Sequence, residues 1–204
     1  MLWSGPAAAR GPIIVLAHGA GAPSDSPFMA AMADGLAGEG LRCARFEFPY
    51  MQRRRAGGGR GAPDPPPVLR AAWLAVIAEL GGGQGLVIGG KSLGGRIASL
   101  VADEAAAAGL VCLGYPFHPP GQPARTRTAH LAALRTPTLI VQGTRDPFGG
   151  PEEVSSYQLS PAIRILWLED GDHSWKPRRS SGRTEQEHLQ AGIAAVAAFA
   201  RSKL

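Results

Sequence analysis

A serine flanked by glycine two residues away on each side occurs at Gly90-Lys91-Ser92-Leu93-Gly94. An apolar run over 86–89 precedes it and a helix is predicted to follow over 95–108, so Ser92 falls on a tight turn from strand to helix. Such a turn holds the serine in a strained backbone conformation and lifts its hydroxyl above a sheet, where it can attack a carbonyl carbon. Glycine is needed at the flanking positions because a side chain there would strike the neighbouring strand or helix. The pentapeptide alone is a weak signal. In a chain with 28 glycines it arises by chance with a probability of roughly 0.2, and its plain structural alternative is a glycine-rich turn.

Three further segments supply what a nucleophilic serine requires. His18-Gly19-Ala20-Gly21 follows the apolar run 13–17, where the amide of Ala20 can join that of Leu93 in an oxyanion hole. Each such donor contributes about 3 kcal/mol in the transition state. His18 itself is expected to brace this loop. The run 138–142 leads into Gly143-Thr144-Arg145-Asp146-Pro147, which makes Asp146 the candidate acid, with a helix N-cap or Asx-turn ahead of Pro151 as its structural alternative. The run 163–168 leads into Gly171-Asp172-His173-Ser174, which makes His173 the candidate base. Asp170, Asp172 and His173 also invite a metal reading, but no second cluster completes a three- or four-ligand site, so no metal is expected. His118, His130 and His188 read as solvated side chains, with His118 alone able to reach the pocket.

The elements that must position these residues follow from the apolar pattern. Strand-length runs recur at 13–17, 43–48, 86–89, 110–114, 138–142 and 163–168. Several, such as Ile13-Ile14-Val15-Leu16, are apolar throughout, the pattern of strands buried on both faces of a parallel sheet. Helical segments are predicted between and after them at 27–37, 68–80, 95–108, 130–134, 152–157 and 184–200. The last is the best marked: Thr184 and Glu187 form a capping box, and Leu189, Ile193, Val196 and Ala200 recur at helical spacing. Residues 53–67, rich in Arg, Gly and Pro, read as a long loop that divides no domains. The predicted fold is α/β: a single-domain three-layer α/β/α sandwich over 1–204 on a mostly parallel six-stranded sheet. Ser92, Asp146 and His173, in that chain order, then lie at strand ends along one edge.

Composition narrows the class. Hydrophobic residues make up 45% of the 204 and charged residues 18%, which is globular, and no apolar run reaches bilayer length. The first eleven residues lack the basic and apolar regions of an export signal. Cys43 and Cys112 sit inside apolar runs and read as buried free thiols, which fits a cytoplasmic protein. Ser202-Lys203-Leu204 spells a peroxisomal address, or a chance ending in a chain rich in Ala, Gly and Arg. The net charge is +5, but the basic segments lack interleaved aromatics and no recognition motif occurs, so nucleic acid is not an expected partner. The basic residues are concentrated at Arg53, Arg54, Arg55 and Arg60, at Arg125 and Arg127, and at Lys176, Arg178, Arg179 and Arg183. All three segments follow predicted strand ends, so an electropositive rim and a small anionic substrate are expected.

The motifs Leu16-Ala17-His18-Gly19-Ala20-Gly21, Phe46-Glu47-Phe48-Pro49-Tyr50, Gly89-Gly90-Lys91-Ser92-Leu93-Gly94-Gly95-Arg96, Tyr115-Pro116-Phe117-His118-Pro119, Gly143-Thr144-Arg145-Asp146 and Gly171-Asp172-His173-Ser174 span nearly the whole chain. Together they resemble the dienelactone-hydrolase-like branch of the α/β-hydrolases, in particular the small hydrolases related to NSL complex subunit three. The resemblance implies a Ser92–Asp146–His173 triad and a hydrolase without cofactor, while some relatives serve as subunits of chromatin complexes. True dienelactone hydrolases carry a cysteine nucleophile; Ser92 in its place favours general ester or thioester chemistry. The antiparallel strands that usually precede the oxyanion strand are absent here or reduced to Leu2-Trp3, and a loop to about residue 129 stands where a lid would be. An open pocket is therefore expected, lined by Tyr50, Met51, Phe117, His118 and Trp175, each of which could equally be packing, with Arg53, Arg54 and Arg55 at its rim. The expected activity is serine-dependent hydrolysis of a small ester or thioester, the alternative being a non-catalytic interaction module on the same fold.

Overall fold

A computed structural model describes every residue except Arg10, Arg60 and Leu204. The rim charge expected at Arg60 and the last residue of the Ser202-Lys203-Leu204 tripeptide thus lie outside the described residues. The strands are β1 (Leu2–Ser4), β2 (Ile13–Ala17), β3 (Cys43–Phe46), β4 (Leu86–Lys91), β5 (Gly109–Leu113), β6 (Thr138–Gly143) and β7 (Ile163–Leu168). The helices are α1 (Pro27–Gly38), α2 (Pro49–Arg55), α3 (Pro66–Glu79), α4 (Leu93–Ser99), α5 (Pro151–Ser155) and α6 (Glu185–Arg201), with three short 3-10 turns.

One seven-stranded sheet has the order β1-β3-β2-β4-β5-β6-β7. From β3 to β7 every neighbouring pair is parallel. The seventh strand, beyond the six expected, is β1, which runs antiparallel to β3 at the edge with Leu2 opposite Arg45. Its apolar side chains stay exposed, and the Arg42 guanidinium stacks 4.2 Å above the Trp3 ring. So short a strand carries no periodic signal.

The apolar strands divide the core by their period of two. Val15, Ala17, Ile88, Leu110, Cys112 and Ile140 face α3 and α4, where Leu69, Trp73, Ile77, Ile97 and Ala98 cover them. Ile14, Leu16, Val87, Val111, Leu113, Leu139 and Val141 face the other way, under Met29, Met32 and Leu36 of α1 and Ile193, Val196 and Phe199 of α6. Both cysteines are buried and unpaired. No helix among the described residues is long and apolar enough to cross a membrane.

Two segments depart from the expected elements. Pro49 fixes the first turn of α2, whose last turn holds Arg53, Arg54 and Arg55 at the negative end of the helix dipole, so a helix occupies the start of the supposed loop. The helix expected over 95–108 stops at Ser99, and turns follow to Ala106, which is left-handed at φ 49°. There Asp103 accepts from the amides of Arg135 and Thr136, and the Ala108 amide reaches Leu86, committing the chain to β5. Residues 114–128 form a loop with no helix, as expected where a lid would stand.

Chain order places the sheet's reversal between β2 and β4, the crevice in which open α/β sheets seat ligands. Contact there is close. A Cβ on either Gly90 or Gly94 would collide with the Ala17 carbonyl oxygen at the end of β2. Gly94→Ala should therefore destabilise the fold by about 1–3 kcal/mol. Gly38→Ala, in a helix with open space around it, should be neutral or slightly stabilising. Urea unfolding of the two variants checks this; equal midpoints would show that the crevice tolerates a methyl group.

Candidate active site

Ser92 sits between β4 and α4 with φ 50° and ψ −111°, a conformation that L-residues rarely adopt. Its amide donates to the Leu113 carbonyl at 3.1 Å, tying the turn to β5. Its hydroxyl has no hydrogen-bond partner among the described residues and lines a cavity of about 490 Å³ together with His173. No hydrogen bond joins Ser92 to His173, a link that in such sites often closes only with substrate bound.

His173 and Asp146 are joined. The His173 Nδ1 lies 2.8 Å from Asp146 Oδ2, and that carboxylate is buried. Asp146 Oδ2 also accepts from Gln142 Nε2 at 2.9 Å, while Oδ1 accepts from the Phe148 amide at 2.9 Å. The second contact is an Asx-turn, the structural alternative for Asp146, made by one oxygen while the other meets His173. The Phe148 ring lies 4.4 Å, centroid to centroid, from the His173 imidazole.

Gln142 was not singled out by sequence. Fully buried at the end of β6, it accepts from the Tyr115 amide, and its two N–H groups are shared among Asp146 and the carbonyls of Tyr115 and Gly149. An amide side chain in an otherwise apolar strand was the available signal.

The loop carrying His173 is fixed from both sides. Gly143 lets the 171–172 backbone pass where a Cβ would collide with the carbonyls of Gly171 and Asp172. Asp172 Oδ1 accepts from the amides of Ser174 and Lys176 at 2.8 and 3.0 Å. Asp170 accepts from the Arg178 amide at 2.7 Å and from its guanidinium, with Arg145 on the other side. Both aspartates therefore build the loop. No group of three or more potential ligands that could hold a metal ion occurs among the described residues.

The His18–Ala22 loop follows β2. The His18 ring is buried; its Nε2 accepts from the Phe48 amide at 3.2 Å and its Nδ1 lies 2.7 Å from the Gly19 carbonyl. These partners place the hydrogen on Nδ1, and burial lowers the pKa against the opposing pull of the Gly19 carbonyl. His18 thus braces the loop. The Tyr50 hydroxyl lies 3.2 Å from both the Gly19 and Ala20 carbonyls, and its single hydrogen is shared between them. A trans peptide opposes its C=O and N–H, so anchoring the Gly19 carbonyl turns the Ala20 amide away from Tyr50. The Leu93 amide is a free first-turn donor of α4.

The expected pocket lining is largely elsewhere. Tyr50 and Trp175 are buried packing residues, Trp175 against Phe28 with centroids 4.9 Å apart. Phe117 is buried against Tyr115 and Tyr157. Met51 is buried and lines a separate pocket with Gly21 and Arg54, away from Ser92. His118 is buried between the Pro119 carbonyl and Glu153. His188 is buried with Nδ1 2.7 Å from the Trp175 carbonyl, and His130 meets Ser99 Oγ at 2.8 Å, so none of the three is a solvated histidine. Large rings at strand ends close the core there, leaving Pro27, Phe28, Met29 and Phe148 to wall the cavity.

The electropositive rim is neutralised in part. Arg53 pairs with Asp64, Arg55 with Asp25 and Glu47, Arg178 with Asp170, and Arg183 with Glu169. Acids from neighbouring segments fold onto the basic loops, a pairing the linear sequence hides. Arg54 donates to the backbone carbonyls of Ala20 and Gly61.

The family model described as an alpha/beta hydrolase domain matches residues 10–201. Similar solved structures include Est1E from Butyrivibrio proteoclasticus, at 14% identity and TM-score 0.72, covering 98% of this chain and 92% of that one. Dienelactone hydrolase from Anabaena variabilis matches at 22% identity and TM-score 0.69, over 96% and 87% of the two chains. A serine hydrolase without a lid from Xanthomonas campestris matches at 18% identity and TM-score 0.62, over 95% and 86%. At these identities the likeness is one of fold.

The Arg178 hydrogen bonds hold the Asp170 carboxyl below its ordinary value. An acid so lowered keeps its anchoring role above the ordinary carboxylate range and loses it only as pH falls below. The Arg178 amide should therefore resist hydrogen exchange from about pH 5 to pH 8 and exchange about tenfold faster in Asp170→Asn. Unchanged exchange would show that the loop is held without this carboxylate.

Proposed function

The chain belongs to the α/β-hydrolase family, and we propose that within it the protein is a serine hydrolase of carboxylic esters or thioesters. The observation that carries this reading is a serine at φ 50° on a strand-to-helix turn, sharing a cavity with a histidine whose far nitrogen meets a buried aspartate at 2.8 Å. In this scheme Ser92 Oγ bonds to the substrate carbonyl carbon as its proton passes to His173 Nε2. The amides of Ala20 and Leu93 receive the oxygen that becomes negative. The C–O or C–S bond then breaks, and the leaving group takes the proton from His173. Water, deprotonated by the same imidazole, attacks the acyl-serine, and Ser92 regains its proton as the acid departs. Asp146 holds the proton of His173 on Nδ1, and Gln142 fixes the carboxylate that does so. No step calls for a cofactor. The open cavity and the lid-free loop favour small acyl groups.

A fluorophosphonate probe should label the native chain and fail to label Ser92→Ala. Ser92→Ala and His173→Ala should each lower kcat by several orders of magnitude on p-nitrophenyl esters, and Asp146→Asn by about ten-thousandfold with KM little changed. Labelling of Ser92→Ala equal to that of the native chain would overturn the assignment. A native chain that neither labels nor turns over ester or thioester would favour an interaction module on a hydrolase fold.

A further inference from the structure

Lys91 stands beside the nucleophile, and none of the steps above uses its side chain. It lines the same cavity as Ser92 and His173. The ammonium donates to the His173 backbone carbonyl and lies 5.4 Å from the Phe28 ring centroid. Gly114 leaves it room: a Cβ there would come within 2.7 Å of the Lys91 Nζ.

An ammonium carries three N–H donors, and among the described residues this one has a single acceptor and no ion-pair partner. Asp146 and Asp172 act on it only at longer range. Each is committed elsewhere, Asp146 to His173, Gln142 and the Phe148 amide, Asp172 to the amides of Ser174 and Lys176. The opposing wall, Pro27, Phe28, Met29 and Phe148, offers no charge. A cation so placed is costly unless a ligand supplies the missing acceptor, and a charge-assisted hydrogen bond in such surroundings is strong.

We propose that Lys91 sets the specificity of this site, its ammonium receiving a carboxylate that the substrate carries a few atoms from the scissile carbonyl. The preferred substrates are then short-armed anionic esters or thioesters, selected inside the cavity and not by the rim arginines, several of which are spent on Asp25, Glu47, Asp64, Glu169 and Asp170. The proposal rests on the serine-hydrolase reading and adds its substrate class.

The charge of Lys91 gives a second handle. Burial lowers its pKa to about 8 against the pull of Asp146 and Asp172. The cation is present below that value and lost above it. Asp146, His173 and Asp172 face it from the loops after β6 and β7, Ser92 from the turn after β4 and Phe28 from α1. Comparing two substrates on one enzyme cancels whatever those groups contribute to catalysis alone.

The test compares kcat/KM for mono-p-nitrophenyl glutarate with that for p-nitrophenyl valerate, which places the carboxylate on the acyl side. A second arm compares (4-acetoxyphenyl)acetate with 4-ethylphenyl acetate, which places it on the leaving group with the phenol acidities matched. The native chain should favour the anionic member of one pair by about tenfold or more, and that pair identifies the side. Lys91→Met should bring the ratio to about one. Replacing Arg53, Arg54 and Arg55 together by Gln should leave it high, as should salt of about 0.5 M, which screens surface charge far more than a cavity cation. In the native chain the ratio should fall between about pH 7 and pH 9.5, a result that stands even if Lys91→Met fails to fold. A native ratio near one in both arms, or a ratio that Lys91→Met leaves unchanged, overturns the proposal. If the native chain hydrolyses neither pair, the serine reading fails on its own. Calorimetric binding of monomethyl glutarate against methyl valerate, native against Lys91→Met, then decides the role of Lys91 separately, with equal binding of the anionic ester in the two chains overturning it.

Discussion

The carbonyl oxygen of Ala17, at the end of β2, sets the spacing on which the site depends. Gly90 and Gly94 both press against it, so β4 and the start of α4 meet β2 more closely than any side chain would permit. That approach brings the serine turn beside the His18–Ala22 loop, whose residues Gly19 to Ala22 line the same cavity as Ser92. The strain at Ser92, φ 50°, is held by β4 before it, α4 after it and its own amide bond to Leu113. A backbone conformation of this kind costs of order 1–3 kcal/mol and persists only where packing on several sides fixes it.

A second constraint is buried hydrogen bonding at the other end of the site. Asp146 has no solvent to stabilise its charge, and three donors, from His173, Gln142 and the Phe148 amide, take that place. Gln142 in turn satisfies Tyr115 on the adjacent loop, so the acid's geometry is coupled to the segment after β5. Networks with every member paired fix a single arrangement, because any displacement leaves a polar group stranded in low dielectric. The same logic governs the histidine loop, where Asp170 and Asp172 spend their oxygens on backbone amides.

Much of this was legible in sequence, and the parts that were not share a cause. Buried strands betray themselves by unbroken apolar runs, and the residues that end them, Ser92, Asp146 and His173, inherit their common edge from the parallel order. The capping box of Thr184 and Glu187 likewise marked α6 because its signal is local. Side-chain direction is not local. Tyr50, Phe117, His118 and Trp175 were expected at the cavity because they flank the right strand ends, yet each turns into the core or under a loop, and Phe28 and Phe148 took their place. Gln142 was overlooked because one polar residue in an apolar strand gains meaning only when its partners, more than twenty residues away for Tyr115, are seen beside it.

Charge shows the same division between linear and spatial information. Clusters of arginine near strand ends suggested a basic mouth, but Asp25, Glu47 and Glu169 reach them from segments that read as neutral or acidic by themselves. Exposed pairs of this kind contribute little to stability and less to selection, since water and salt weaken them in either partner's absence. A single cation on an apolar wall is another matter. Water competes poorly there, the field falls off slowly, and the group's remaining N–H donors point to a need that a ligand can meet. Net charge counted along the chain therefore says less about what such a site selects than a charge that, among the described residues, lies without a counter-ion beside Ser92.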